Sequence, residues 1–134
     1  MEKMTVKAII PATAEKIYNA WLEGRKHGEM TGSKATGYAK VGKAFTAWDG
    51  YISGKNVELV NDKRIVQAWR STEFAENAPD SKLEVILKKV KGGTEVTLNH
   101  SEIPEGQAAG YKKGWIDFYF KPMTKYFNEK AKSR

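Results

Sequence analysis

Few side chains in this 134-residue chain could do acid–base or nucleophilic chemistry. There are two histidines, His27 and His100, and no cysteine, which excludes thiolate catalysis, disulfides and cysteine metal sites. The histidines lack the close spacing of a metal motif such as HExxH, so we expect no metal site. Walker, dinucleotide-binding and GxSxG motifs are also absent. We therefore expect that the chain binds no cofactor and is not a hydrolase with one of these nucleophile motifs.

An enzyme of the cyclase type would need an acid–base pair inside a pocket. Four side chains are candidates for such a pair: Asp49, Arg70, Glu73 and His100. His100 shares strand parity with Val96 and Leu98, so we expect it to be the one histidine that points inward. Asp49 precedes a glycine in a predicted turn, where an aspartate more often bonds its own backbone. The other two should face solvent or lie beyond their strand, so we predict no catalytic residue.

Aromatic side chains are better placed to form a binding site than to catalyse a reaction. Six residues are candidates for the wall of a ligand cavity: Trp48, Trp69, His100, Tyr111, Trp115 and Tyr119. Buried tryptophan and tyrosine need hydrogen-bond partners for their polar atoms, and this need leaves room for a polar ligand group. The same residues could instead be ordinary core, and His100 could be purely structural. The sequence is compatible with both interpretations.

The elements that would position these residues are mostly strands. Residues 14–22 have helical spacing of apolar side chains, with Thr13 as the predicted N-cap. Three glycines in residues 23–33 indicate a loop. Alternating patterns predict strands over residues 5–10, 45–48, 51–60, 64–72, 83–90 and 95–100. Because the connections are short, as at Gly92-Gly93, the strands should be antiparallel.

The final predicted element is a helix over residues 107–127. Its apolar residues, Phe118 included, cover a sector of about 200°, whereas a helix lying on a flat surface needs only about 100°. We therefore expect the sheet to wrap around this helix and to bury Trp115. Pro122 removes one backbone donor inside the helix, which predicts a kink. The polar, cationic end at residues 128–134 should fray.

The chain carries a net charge of +7. Its lysines are mostly scattered, and the densest groups are Lys88, Lys89 and Lys91 near a hairpin and Lys130, Lys132 and Arg134 at the tail. We interpret them as solvated surface rather than a polyanion site, and expect no nucleic-acid partner. No signal-like or membrane-length apolar run occurs, so we expect a cytoplasmic monomer without membrane insertion.

Five blocks of sequence resemble one known family. They are MTGS at residues 30–33, FTAWDGYISG at 45–54, RIVQAWR at 64–70, HSEIP at 100–104 and GWIDFYFKPM at 114–123. The chain resembles the C-terminal domain of the activators of heat shock protein 90 ATPase, within the START-like (SRPBCC) superfamily. That resemblance implies a helix-grip fold, often with an apolar cavity between sheet and helix. It covers no counterpart of the activators' N-terminal domain.

These observations together predict a single α+β domain spanning residues 1–134, with a curved antiparallel sheet around a long C-terminal helix. The leading functional interpretation is a non-enzymatic domain that binds a small apolar or amphipathic molecule in a cavity. A stand-alone co-chaperone-like interaction module, connected with a stress response, is the second. A cyclase-like or hydrolytic enzyme is the third and least supported.

Overall fold

The computed structural model describes residues 1–132, which form one six-stranded antiparallel sheet and a set of helices. The strands are β1 (Glu2–Ile10), β2 (Ala44–Ala47), β3 (Ile52–Val60), β4 (Arg64–Ser71), β5 (Ser81–Val90) and β6 (Gly93–Ile103). Their order across the sheet is β1-β6-β5-β4-β3-β2. The fold class is α+β: the curved sheet packs around a long C-terminal helix. The antiparallel pairing that the short turns predicted is confirmed.

Two short helices follow β1. Helix α1 (Ala14–Leu22) has the predicted bounds, and the Thr13 hydroxyl caps it by accepting a hydrogen bond from the Lys16 backbone N–H at 3.2 Å. The loop predicted after it is wrong, because residues Gly24–Thr31 form helix α2. Glycine is needed at Gly24 for close packing rather than for a loop: a Cβ there would lie 2.5 Å from the Thr36 Cα.

The long C-terminal helix has three parts. Helix α3 (Ala108–Trp115) passes through a π-helical turn (Ile116–Phe120) into helix α4 (Lys121–Lys132). In the π-helical turn, the Lys121 N–H donates to the Ile116 carbonyl, one residue further back than in an α-helix. Pro122, which lacks an N–H, follows directly. The irregularity therefore starts before Pro122, and α4 continues through residue 132 instead of fraying; Ser133 and Arg134 lie outside the described residues.

The π-helical turn corrects the predicted apolar sector of the helix. Its extra residue makes burial recur every four positions, at Trp115, Tyr119, Met123 and Phe127. Phe118 falls off this stripe and is 57% exposed, contrary to the prediction that it faces the core. Ile116 is also exposed. Phe120, beside Tyr119, is also buried, so the covered face of the helix leaves out Ile116 and Phe118 from the predicted sector.

The core fills the space between the concave face of the sheet, α1 and the C-terminal helix. Trp115 is 3% exposed, as predicted for a helix held by the sheet. Polar side chains also lie in this core, and in the described residues each buried side-chain nitrogen or oxygen has a hydrogen-bond partner. None of the described helices has the length and apolarity needed to cross a membrane.

Candidate aromatic pocket

A pocket of about 370 Å³ lies between the start of the C-terminal helix and the adjoining ends of β3 and β4. We call it the aromatic pocket. Its lining residues are Trp48, Tyr51, Ile52, Trp69, Gly110, Tyr111, Gly114, Trp115, Phe118 and Tyr119. Five of the six residues singled out from the sequence are among them. His100 is the exception. The volume lies at the lower end of the range for small-molecule sites.

The inner wall of the pocket is a cluster of buried rings. The Trp115 ring centroid lies 4.8 Å from that of Tyr119 and 5.6 Å from that of Trp69. Tyr111 meets Trp69 edge to face at 5.0 Å. Such tilted and edge-on contacts are the favourable arrangements for aromatic rings, and they fix the wall in place. On the outer side, Trp48 and Phe118 meet edge to face at 5.6 Å and stand at the opening.

His100 lies behind this wall rather than at the mouth. It is 1% exposed, and its Nδ1 accepts a hydrogen bond from the Trp115 indole N–H at 3.2 Å. Its Nε2 therefore carries the ring proton and donates to the Ser81 hydroxyl at 2.8 Å, which donates in turn to the Trp69 carbonyl. Burial lowers the pKa of His100 from 6.5 to about 4, so the ring is neutral at pH 7.

His27 is a second inward histidine, so the prediction that only His100 points inward is wrong. It sits on α2 and is buried against the C-terminal helix. Its Nδ1 donates to the Trp21 carbonyl at 2.9 Å, and its Nε2 accepts from the Tyr119 hydroxyl at 2.7 Å. Burial lowers the pKa of His27 to about 4 and raises that of Tyr119 well above its usual value. Both histidines thus hold pocket aromatics in place from behind.

Polar groups cluster at the edge of the pocket. The Tyr111 hydroxyl lies 2.5 Å from the Ser71 hydroxyl and donates to the Gln107 side-chain carbonyl at 2.7 Å. Beside it, the Tyr51 hydroxyl donates to the Glu73 carboxylate. Partial burial and this bond raise the pKa of Tyr51 to about 12. We call these five side chains the polar rim; they offer hydroxyl, amide and carboxylate groups next to an apolar space.

Two glycines that were not among the predicted site residues line the pocket wall. Gly110 and Gly114 lie one helical turn apart in α3 and face the open space. A Cβ added at Gly110 would meet no atom within 4 Å, and one at Gly114 would only touch the Phe118 ring at 4.0 Å. Each glycine costs a helix about 1 kcal/mol relative to alanine. Two glycines four residues apart inside an aromatic helix are the signal that could have located this face.

The remaining candidates do not enter the pocket. Asp49 is exposed in the turn after β2, in the left-handed region with φ 55°. Arg70 lies on the opposite face of β4 from Trp69, as expected, where it bonds Asp80 at 2.8 Å. No carboxylate contacts His100 in the part of the chain that the structure describes; its ring nitrogens are taken by Ser81 and Trp115. Within residues 1–132, no three His, Asp or Glu side chains are grouped to hold a metal ion.

Comparison with known proteins shows which family the chain belongs to. The model of the family described as "Activator of Hsp90 ATPase homolog 1-like protein" matches residues 11–128. The chain belongs to this family. A curated relative, the human activator of 90 kDa heat shock protein ATPase homolog 1, is 27% identical over 130 residues, 97% of this chain. A mouse homolog 2 is 26% identical over 115 residues. The chain spans 38% and 34% of these two relatives' lengths.

Solved structures of similar fold have diverse descriptions. An HSP90 activator from Plasmodium falciparum matches with a TM-score of 0.77 at 24% identity, over 90% of this chain and 91% of that one. The Aha1 dimer from Colwellia psychrerythraea matches with a TM-score of 0.74 at 21% identity, over 88% of this chain and 90% of that one. DynU16, described as a protein in the dynemicin biosynthetic locus, matches with a TM-score of 0.78 at 16% identity, over 96% of this chain and 48% of that one. At these identities the likeness establishes the helix-grip fold alone.

Proposed function

We propose that this chain is a non-enzymatic binding domain that holds a small, planar, apolar or amphipathic molecule in the aromatic pocket. The observation that carries the proposal is the pocket itself: about 370 Å³ of open space walled by tryptophan and tyrosine rings beside a polar rim. Apolar walls with a few placed polar groups are the usual form of a small-molecule site. The ring-lined walls suit the flat faces of two or three fused rings better than the extended chain of a lipid.

The two wall glycines support a binding role. Alanine at Gly110 would clash with nothing and would strengthen the helix, so packing does not explain the glycine. At Gly114, any larger side chain would project beside Phe118 into the space that a ligand would fill. Keeping side chains out of this face preserves the pocket at a cost in helix stability. Such a cost is expected where a function requires the space.

The polar rim supports an amphipathic rather than a purely apolar ligand. Tyr51 and Tyr111 each line the pocket with a ring and reach the rim with a hydroxyl. A ligand whose rings stack on Trp69 and Trp115 could place a hydroxyl or carbonyl against the Tyr111 and Ser71 hydroxyls. A hydrogen bond there would fix the orientation of the ligand, while the rings supply most of the buried area.

The non-enzymatic part of the proposal rests on how the titratable groups are used. A general base must be free to reach a substrate proton, with a pKa near the working pH. Both histidines are buried, engaged through both ring nitrogens, and have a pKa of about 4. The acid–base pair at the pocket, Tyr51 with Glu73, has its hydroxyl pKa raised to about 12. A search for turnover of bound aromatic esters and ketones tests this part; activity lost in Glu73→Gln would overturn it.

Ligand binding can be tested without dismantling the core. Titration of 2-naphthol, a flavonoid, a fatty acid and an anilinonaphthalene probe should give saturable quenching of tryptophan fluorescence for the ring compounds. Gly114→Leu should weaken that binding by about tenfold or more, because the new side chain occupies the pocket. Ala109→Leu adds the same side chain on an exposed position of the same helix and should bind like the parent. Equal binding in both variants would exclude the pocket.

A co-chaperone-like interaction module is the second candidate, and family membership favours it. The curated relatives are named for activation of a heat shock protein ATPase, but this chain spans only 38% of the first of them. A cytoplasmic location and a link to stress belong to this candidate. Stimulation of a purified Hsp90-class ATPase by the chain would support it, and absence of both stimulation and co-sedimentation would contradict it. Light scattering would test the expected monomer, since one structural relative is described as a dimer.

A further inference from the structure

A second concave surface lies at the other end of the C-terminal helix from the aromatic pocket. It has a volume of about 780 Å³ and is formed by the β1–α1 connection, the β5–β6 hairpin and the end of α4. We call it the cationic groove. Its lining residues are Pro11, Ala12, Thr13, Ala14, Glu15, Lys16, Asn19, Ala20, Lys26, Lys89, Val90, Gly93, Thr94, Tyr126, Phe127, Lys130 and Ala131. It shares no residue with the aromatic pocket.

The fold concentrates positive charge in this groove. Four lysines line it, from four separate segments of the chain, and Glu15 is the one carboxylate among the described lining residues. Lys26 is paired with Glu23 at 3.3 Å, so Lys16, Lys89 and Lys130 carry the excess of positive charge. Lys89 belongs to the hairpin cluster and Lys130 to the tail cluster that looked unrelated in the sequence. Lys88, Lys91 and Lys132 are exposed close to them in the chain. The N-terminus of α1 also opens here, and its backbone dipole adds a partial positive charge.

The groove combines this charge with an apolar lining. Alanines from α1 and α4, together with Val90 and Phe127, line the groove along with the lysines. Tyr126 also lines it, but its ring is covered by the Lys130 ammonium at 5.5 Å and its hydroxyl bonds Glu29 at 3.2 Å. A nucleic acid would be expected to use arginines and free stacking rings, and the lining formed by residues 1–132 offers neither. A lipid surface favours a protruding polybasic or apolar element over a concave one.

We infer that the cationic groove is a docking site for an acidic peptide segment of a partner protein, one in which aspartates or glutamates alternate with aliphatic residues. The carboxylates would meet the lysine ammonium groups, and the aliphatic side chains would fill the apolar lining between them. Charge complementarity of this kind steers association and fixes orientation. The inference is independent of the ligand proposed for the aromatic pocket.

The test uses fluorescence anisotropy with a short labelled peptide in which glutamates alternate with leucines. The intact protein should bind it, more tightly at low than at high salt. Lys89→Glu/Lys130→Glu should weaken binding about tenfold or more. Lys40→Glu/Lys43→Glu makes the same change of charge on an exposed loop outside the groove and should bind within about twofold of the parent. Circular dichroism would check folding, and Lys16→Glu is a second variant because a glutamate suits the first turn of α1.

Three further results decide between an acidic peptide and a general polyanion site. A peptide with serines in place of the leucines should bind about fivefold more weakly, because it cannot use the apolar lining. Equal binding of the serine peptide would overturn the inference. So would tighter binding of a single-stranded oligonucleotide or of anionic phospholipid vesicles than of the leucine peptide. Equal loss of binding in the groove and loop variants would also overturn the inference, because such a loss would depend on net charge alone.

Discussion

The two ends of the C-terminal helix face different surroundings. Near its start, Trp115 and Tyr119 wall the aromatic pocket and are also buried core residues. Near its end, Lys130 and Ala131 line the cationic groove and are exposed. The aromatic residues of the pocket therefore carry stability as well as binding, whereas the exposed lysines of the groove can change charge without opening the core. Any mutational study of the pocket must separate these two effects.

The largest effect should come from Trp115→Ala. This change removes a 3% exposed side chain and leaves His100 Nδ1 without its donor, so it should lower the free energy of unfolding by about 3–5 kcal/mol. Lys130→Ala in the groove should change it by less than about 0.5 kcal/mol. Urea denaturation of both variants measures the contrast. A loss below about 1 kcal/mol for Trp115→Ala would contradict the assignment of the inner wall to the core.

The next largest effect is a dependence of stability on pH, which arises from the two histidines buried behind the pocket wall. Between about pH 4 and 6.5, an unfolded histidine binds a proton that the buried His27 and His100 do not bind. The unfolded state then carries more protons, so stability falls as the pH drops through this range, by up to about 3 kcal/mol per histidine. His100→Asn should reduce the slope of stability against pH between about pH 5 and 7 by roughly half. An unchanged slope in both His100→Asn and His27→Asn would contradict these neutral, buried states.

The smallest effect is the change in stability when a glycine beside open space, or one in a packed contact, is replaced by alanine. Gly110→Ala should raise the free energy of unfolding by about 0.5–1 kcal/mol, because its Cβ meets nothing within 4 Å and alanine favours the helix. Gly54→Ala in β3 is the counterpart: its Cβ would lie 1.9 Å from the Ala68 carbonyl oxygen, so it should be destabilising by about 1–3 kcal/mol. Thermal melting of the two variants checks the opposite signs. Loss of stability in Gly110→Ala would argue against open space at that face.

Local signals in the sequence were enough for most of the fold. The Thr13 cap gave the start of α1, and strand parity gave the inward direction of Trp69 and His100. Parity also turns Gln67 inward, where it accepts a hydrogen bond from the Trp21 indole at 3.3 Å, yet its polar character hid this role. Periodicity identifies which positions face the core but not which polar partners they find there.

The errors arose where long-range packing decides the local conformation. Helix α2 was missed because glycines read as loop signals, whereas Gly24 and Gly28 are small to let other backbone segments approach. The exposure of Phe118 depends on a π-helical turn that no sequence spacing specified. The aromatic pocket could be anticipated from its rings, and the spacing of Gly110 and Gly114 in α3 is a local signal for its empty face. The size of that space depends on how the helix packs on the sheet, which no local pattern specifies.

The most direct test of the account is a titration of 2-naphthol followed by two-dimensional ¹H–¹⁵N NMR. The indole N–H signals of Trp48, Trp69 and Trp115 should shift with one shared, saturable affinity, because all three rings line the aromatic pocket. The backbone signals of Thr94 and Ala131, in the cationic groove, should stay in place. Shifts confined to the groove, or no saturable shift with any ring compound of the panel, would contradict the proposal that this domain binds its ligand in the aromatic pocket.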